Sequence, residues 1–358
     1  MRFQSGDHAA QVYNEHGTVV IGGHSVSEIR QIALDATRAE VLPEARRIAG
    51  EIIEERFHAA TDMVLVKMLE KDPELLSRFS DPRFLAPLVS AQRSYAETGD
   101  DELGSILAGL LTDLAGEPTR NRREIVLREA IECAPKLTSQ HLSALSVIFL
   151  LSRFSFSQSP NVSHLLELLN EFYSPYYETI PSSTFEYQYM GATAAGTLLA
   201  FGASPYKSLH QRHPNSMYDY LSEDEIASAF DGKVSELSER LKSVLTAPRP
   251  KEPGEPPQIK LKSDAAARIL NSSTKSESDL DEFEKTLRNL IRAKSIKSSE
   301  FKAEISSQYP ELAAFLDRLE QTSALDFHLS PVGMMLARHE IVSRTPEMTD
   351  QIDSMFAD

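Results

Sequence analysis

Cysteine is nearly absent from the sequence, which contains Cys133 alone among 358 residues. A lone cysteine excludes a disulfide framework within the chain and a zinc site built from several cysteines. Cys133 lies in a helical pattern and has acidic neighbours, which raise the pKa of a thiol. We therefore expect Cys133 to be a small buried side chain and not a reactive nucleophile.

Long apolar runs are also missing. The two most apolar stretches cover residues 142–151 and 190–203, and both are shorter than the roughly 20 residues that a helix needs to cross a bilayer. The first residues contain no apolar run of the kind found in secretory signals. These absences predict a cytoplasmic protein that has no membrane partner.

Positive charge is in deficit, because the formal net charge is -16. This balance disfavours attachment of the whole surface to nucleic acid or to an anionic membrane. Two basic segments remain, at residues 120–123 and 285–297. In the second, helical spacing puts Arg288 and Arg292 on one face, where they are candidates for contacts with nucleic-acid phosphates. Interleaved acidic residues favour solvated helix faces over a binding role in both segments.

Catalytic motifs are absent too. The sequence contains no G-x-S-x-G elbow, no glycine-rich phosphate loop and no H-E-x-x-H pair. His210 and His213 can share one face of a helical turn, but a zinc site needs further ligands, and none stands near in sequence. We predict no catalytic residue, no metal and no cofactor. An enzyme effector of hydrolase or nuclease type, with a site dispersed over several helices, remains the alternative.

Amphipathic helical spacing fills most of the chain. Pro43 is expected to open a helix of nearly thirty residues, whose apolar face contains Ile48, Ile52, Ile53, Phe57 and Ala60. Further helix starts are marked by Thr138, by the Ser222–Glu225 capping box and by Ser330 before Pro331.

The predicted fold class is mostly α, with a multi-helix body, a short N-terminal β element and a small helical C-terminal domain. Five prolines interrupt the pattern between the two helical parts, which indicates a linker. The expected boundaries are 1–24 for the β element, 25–246 for the helical body, 247–262 for the Pro-rich linker and 263–358 for the C-terminal domain.

The β element lies in residues 4–23, where two β-prone pieces flank Gly17. A two-stranded hairpin is marginal in water, and its open edges invite another strand. We therefore predict a homo-oligomer in which copies of this segment pair with one another. The side chains expected at this interface are Val12, Tyr13, Val19, Val20 and Ile21.

Aromatic residues cluster between residues 170 and 190. Tyrosine is favoured at protein interfaces, because its ring is buried while its hydroxyl stays hydrated. A loop packed on its own body explains the cluster equally well. As a protein-partner interface, the cluster would use Tyr173, Tyr176, Tyr177, Tyr187 and Tyr189.

Several phrases carry a resemblance to known proteins. They are "SGDHAAQVYN", "SVSEIRQIALDATRAE", "AQRSYAETGDDELGSILAGLL" and "IVLREAIECAPKLTSQHLSALSVIFLL". Together they resemble an uncharacterised family of bacterial cytoplasmic helical proteins that begin with a Gly-Asp strand element. The phrase "FHLSPVGMMLARHEIV" is similar to the closing phrase of abortive-infection proteins, with Ser330 where Thr is usual.

The resemblance implies an oligomeric helical protein of antiphage defence and brings no active-site residues. The sequence therefore predicts a non-catalytic interaction or scaffold protein with an unidentified protein partner. A nucleic-acid-binding module that uses the C-terminal basic helix is a further alternative.

Overall fold

The computed structural model of the chain describes residues 12–15, 18–21, 24–25, 42–156, 159–199, 204–248, 258–270, 280–322 and 324–356. Side chains are described from residue 49 onward, apart from Ala267. Helices make up most of these residues, which confirms the mostly α fold class that the sequence predicts.

Three short strands lie at the start of the described chain. They are β1 (Val12–Glu15), β2 (Thr18–Ile21) and β3 (His24–Ser25), and they form one antiparallel sheet in that order. Tyr13 is opposite Val20 in the register of β1 and β2. The interface role of Val12, Tyr13, Val19, Val20 and Ile21 depends on side chains outside the described ones and stays a prediction.

The helices follow in order along the rest of the chain. The first half contains α1 (Leu42–Lys71), α2 (Pro82–Thr98), α3 (Asp101–Ala115), α4 (Arg122–Cys133), α5 (Ser139–Arg153), α6 (Val162–Tyr173), α7 (Thr184–Gly191) and α8 (Pro205–Arg212). The second half contains α9 (Glu223–Ala229), α10 (Ser238–Val244), α11 (Ser263–Leu270), α12 (Glu282–Lys294), α13 (Ser298–Gln308), α14 (Pro310–Gln321), α15 (Pro331–Arg344) and α16 (Thr349–Asp353).

Helix starts agree with the capping signals in the sequence. Thr138 caps α5, Ser222 and Glu225 form the capping box of α9, and Ser330 caps α15 ahead of Pro331. Each side chain accepts a hydrogen bond from an amide of the first turn, which has no partner within the helix. Glu28, three residues after Ser25 in the sequence spacing of another capping box, lies outside the described residues.

The long helix α1 begins next to Pro43 as predicted, but its buried face differs from the expected one. Ala60, Val64 and Met68 are buried, whereas Ile52 and Ile53 are 42% and 44% exposed. The reason is the length of α2, which ends near Arg56, where the Arg56 guanidinium donates to the Ala96 carbonyl at 2.9 Å. The earlier turns of α1 extend past this neighbour.

The larger hydrophobic cluster has α5 and α15 at its centre. It contains buried residues from Val64 to Met217 and again from Phe301 to Ile352. Helix α15 packs against α3, α4 and α5, so the C-terminal helices complete a core that the first half of the chain begins. Cys133 is buried in this cluster, as expected, and burial raises the pKa of its thiol.

A two-stranded sheet of β4 (Gly196–Leu198) and β5 (Phe327–Leu329) lies beside the start of α15. The Ser330 hydroxyl donates to the Ala194 carbonyl at 2.6 Å and accepts from the Gly333 amide. A Cβ on Gly333 would lie 1.9 Å from the Ala195 carbonyl oxygen. This close approach requires glycine in the first turn of α15.

A second hydrophobic cluster contains buried residues from Tyr218 to Ile291 and is formed by α9 to α12. The two clusters group the chain differently from the predicted boundaries, because residues after 300 belong to the first cluster. Residues 258–262, expected in the linker, form β-bridges to Leu221 and Leu245. Residues 249–257 of that linker lie outside the described residues, and the domain boundaries stay a prediction.

Candidate binding groove

The second cluster is built around an extended segment, residues 258–262. Ile259 exchanges two backbone hydrogen bonds with Leu221, at 2.9 and 3.1 Å. On the other side, Thr246 donates to the Lys260 carbonyl at 2.8 Å, and Lys262 donates to the Val244 carbonyl at 2.9 Å. The segment is therefore hydrogen-bonded along both of its edges.

A groove of about 950 Å³ opens on this cluster between α9, α10 and the extended segment. Its aliphatic wall is formed by Ile226, Val234, Leu241, Leu245 and Ile259. Ser238 and Thr246 add hydroxyl groups, and the described lining contains no histidine or cysteine. Concave, mostly apolar sites of this size with a few polar groups are typical of binding sites.

The rim of the groove is charged. Glu223 and Asp224 lie in the first turn of α9, and both are exposed. Lys242 and Lys262 also line the groove. Lys242 forms an exposed ion pair with Glu239 at 2.8 Å, and the Lys262 ammonium donates to the Lys242 carbonyl at 2.8 Å. The groove thus combines an apolar wall with charges of both signs.

Lys260 supports the groove from beneath. Its side chain is buried, and its ammonium donates to the carbonyls of Asn215 and Tyr218 and lies 3.6 Å from the centre of the Tyr218 ring. Burial lowers the pKa of Lys260 to about 7. Since alternate residues of an extended chain point to opposite faces, Ile259 lines the groove while Lys260 faces away from it.

A second group of ionisable residues surrounds Asp113 in the first cluster. The Asp113 carboxylate accepts from Arg338 at 2.8 Å and from Lys71 at 2.5 Å, and His339 Nε2 lies 3.4 Å from it. Burial alone would raise the pKa of Asp113, but His339, Arg338 and Lys71 hold it below its usual range. The network joins α1, α3 and α15, and we interpret it as structural because its partners satisfy one another.

The tyrosines that the sequence predicts for a partner interface differ in their exposure to solvent. Tyr173, Tyr176 and Tyr187 are buried in the first cluster, so a partner cannot reach them in this conformation. The Tyr177 hydroxyl is held by Asn170 at 3.0 Å. Tyr189 is 44% exposed and lies on α7 one turn after Phe185, which is 69% exposed.

The predicted basic pair is also divided between core and surface. Arg288 is buried in the second cluster, where its guanidinium donates to the Ile269 carbonyl. Arg292 is exposed. This differs from the exposed face that the sequence predicts for the two arginines, because α11 packs over the Arg288 side of α12.

His210 and His213 each bond a backbone carbonyl. His210 Nε2 lies 2.8 Å from the Ile296 carbonyl oxygen, and His213 Nδ1 donates to the Leu209 carbonyl at 2.9 Å. Burial lowers the pKa of His213 to about 4. Within the described part of the chain, no three histidine, cysteine or acidic side chains are grouped as metal ligands would be.

One protein-family model, described only as ":-like", matches residues 23–350. The chain belongs to this uncharacterised family. The match confirms the part of the sequence resemblance that placed the chain in such a family. It includes the groove, the second hydrophobic cluster and the buried residues of the first cluster except Ile352. No curated protein and no solved structure matches the chain significantly.

Membership of the family assigns no activity, and the groove was not foreseen from the sequence. Five prolines between residues 247 and 262 are typical of a linker. A linker prediction misses the part of the groove wall that residues 258–262 form. A signal was present in "QIKLK", where apolar Ile259 and Leu261 alternate with lysines in the pattern of a half-buried strand. Among the described residues, no helix is long and apolar enough to cross a membrane.

Proposed function

We propose that the chain is a non-catalytic interaction protein that binds an apolar segment of a protein partner in the groove on the second cluster. The observation that carries this proposal is the aliphatic wall of a groove of about 950 Å³. Contiguous apolar surface that the fold leaves open is characteristic of interaction sites. The described lining offers apolar contacts for side chains and contains no histidine or cysteine, which favours binding over catalysis.

The proposal is tested by selecting peptides from a random library on the full chain. We expect enriched peptides to be rich in large aliphatic and aromatic residues. The Ala227→Trp variant should lose this enrichment, because a bulky ring at the groove wall occupies the space of the ligand. Ser228→Trp is the matched control, since Ser228 is exposed on the same helix and outside the groove lining.

Two results would overturn the proposal. One is the absence of any enriched peptide on the wild-type chain. The other is enrichment that survives Ala227→Trp unchanged, because the bound peptides would then occupy a different surface. Circular dichroism of both tryptophan variants shows whether they retain the helical fold, and only folded variants enter the comparison.

We also propose that the chain assembles into a homo-oligomer in the bacterial cytoplasm through its N-terminal strands. The support is a three-stranded sheet in which, among the described residues, the outer strands β1 and β3 each pair on one side only. Unpaired backbone groups at such an edge gain hydrogen bonds when a strand of another copy is added. Assembly would present several grooves together, and linked sites bind more tightly than single ones.

A role in antiphage defence is proposed on the resemblance of residues 327–342 to abortive-infection proteins alone, which is an associational argument. The plating efficiency of phages should be lower on cells that produce the wild-type chain than on cells that produce the Ala227→Trp variant. Cells that produce Ser228→Trp should behave like wild type. Equal plating on all strains, over a panel of phages, would contradict this role.

A further inference from the structure

The bridges of the extended segment fix the order of the charges along the groove. Leu221 and Ile259 pair in antiparallel direction, so the residues after Leu221 lie beside the residues before Ile259. Glu223 and Asp224 therefore belong to the end of the groove near residue 258. This end also contains Pro248, since Leu245 pairs with Leu261 in antiparallel direction.

The lysines belong to the opposite end. Lys262 is the last residue of the extended segment, and its ammonium donates to the Lys242 carbonyl. Residues 258 and 262 are about 13 Å apart, at about 3.3 Å for each residue of an extended chain. The groove consequently has an acidic end and a basic end that are separated by roughly the length of its aliphatic wall.

We propose that the occupant of the groove is an amphipathic helix of a protein partner, with basic residues at one end of its contact face and acidic residues at the other. This inference rests on the proposed function and specifies its ligand. Apolar side chains at positions i, i+4 and i+7 of an α-helix span about 10.5 Å, at about 1.5 Å for each residue. That span fits between the two charged ends.

Charge complementarity supports this occupant. Glu223 and Asp224 have no ion-pair partner among the described residues, so they are available to a cation of the ligand. Lys262 and Lys242, the latter in an exposed ion pair with Glu239 at 2.8 Å, lie at the other end and are exposed. A ligand with opposite charges at its two ends satisfies both pairs, whereas a fatty acid has a single charged end.

An extended peptide fits the groove less well. Peptides that bind as an added strand need a free backbone edge. The extended segment 258–262 has no such edge, because it is hydrogen-bonded to Leu221 on one side and to residues 244–246 on the other. A helix needs no backbone edge, since its own hydrogen bonds are internal.

The test uses three labelled peptides of about 14 residues, a length at which a helix spans the groove. All three have leucine at positions i, i+4 and i+7. The first has lysines at one end and glutamates at the other, the second has glutamates at both ends, and the third has lysines at both ends. Fluorescence anisotropy measures the affinity of each peptide for the full chain, and circular dichroism measures peptide helicity on binding.

We expect the peptide with opposite charges to bind about fivefold more tightly than the other two, with a difference that shrinks at about 0.5 M salt. A variant with Glu223→Lys and Asp224→Lys should prefer the peptide with glutamates at both ends. Its capping box remains, because Ser222 and Glu225 are unchanged. Arg292→Glu, a charge reversal outside the groove lining, is the control and should alter none of the affinities.

The inference is overturned if the three peptides bind equally, if the charge-reversed variant keeps the wild-type preference, or if bound peptides gain no helicity. It is also overturned if dodecanoate binds more tightly than every peptide. Each of these results leaves the proposed function standing as long as library peptides are enriched and Ala227→Trp abolishes the enrichment. If the library selection enriches no peptide, both the proposed function and this inference are wrong.

Discussion

Single buried side chains show how strongly tertiary contacts alter chemistry in this molecule. Lysine and aspartate usually lie at the protein surface. Lys260 and Asp113 are nevertheless buried, each in a cluster with its own set of partners. Asp113 is neutralised by cations from three other helices, whereas Lys260 has carbonyl oxygens and an aromatic ring as its partners. Burial therefore lowers the pKa of Lys260, because the Asp219 carboxylate offsets only part of the loss of water.

The lowered pKa of Lys260 predicts a pH-dependent stability. The side chain loses its proton near pH 7 in the folded chain, and it does so only near pH 10.4 when unfolded, about the ordinary value. Between these values the unfolded chain binds more protons, so the free energy of unfolding rises with pH. Urea unfolding should show that this rise, of up to about 1.4 kcal/mol per pH unit, is missing from Lys260→Met.

Lys260→Met also removes hydrogen bonds to Asn215 and Tyr218, which adds an offset that does not depend on pH. The informative quantity is therefore the slope of the difference between wild type and variant from pH 7 to pH 9.5. Lys262→Met is the control, since Lys262 is exposed and should keep the wild-type slope. Parallel profiles for wild type and Lys260→Met would show that Lys260 keeps its charge when folded.

At the scale of secondary-structure elements, the start of α15 is joined closely to the chain just before β4. There Ser330 caps the helix while also bonding the chain just before β4, and Gly333 allows the Ala195 carbonyl to approach. The capping signal was readable from Ser330 and Pro331. The contact with Ala195 was not, because it joins residues more than 130 positions apart.

Gly333→Ala tests this junction. A Cβ 1.9 Å from the Ala195 carbonyl oxygen forces backbone to move, and we expect a loss of about 1–3 kcal/mol of unfolding free energy, as for other overpacked sites. Gly50→Ala is the matched control, because nothing lies within 4 Å of a Cβ at Gly50 in α1. Alanine has a better helix propensity than glycine, so Gly50→Ala should raise the free energy of unfolding by up to about 1 kcal/mol.

Both values come from urea unfolding followed by circular dichroism. Equal stabilities for Gly333→Ala and the wild type would mean that the β4 strand can move away from α15 without cost. The junction would then be a flexible contact and not a fixed part of the core.

At the scale of the whole molecule, the described chain contains two hydrophobic clusters, and the groove belongs to the smaller one. Helices α9 to α12 form the smaller cluster, whereas α5 and α15 lie at the centre of the larger one. The family match over residues 23–350 covers the smaller cluster and the buried residues of the larger one except Ile352.

Assembly is a second property at this scale, and it can be measured by light scattering. We expect the full chain to have the mass of a homo-oligomer and a version that lacks residues 1–23 to have the mass of a monomer. The reason is the loss of strand edges that can pair between copies. Equal masses for the two proteins would contradict an assembly role for Val12, Tyr13, Val19, Val20 and Ile21.

The sequence by itself determined the helical class, the starts of α1, α5, α9 and α15, and the burial of Cys133. These features depend on local chemistry, because side-chain periodicity and capping act between residues a few positions apart. The tertiary structure alone decided which faces are covered. It buried Arg288 and three of the tyrosines that the sequence predicts for an interface, exposed Ile52 and Ile53, and brought residues 226, 245 and 259 together into a groove. Such contacts join distant parts of the chain, and local patterns cannot specify their partners.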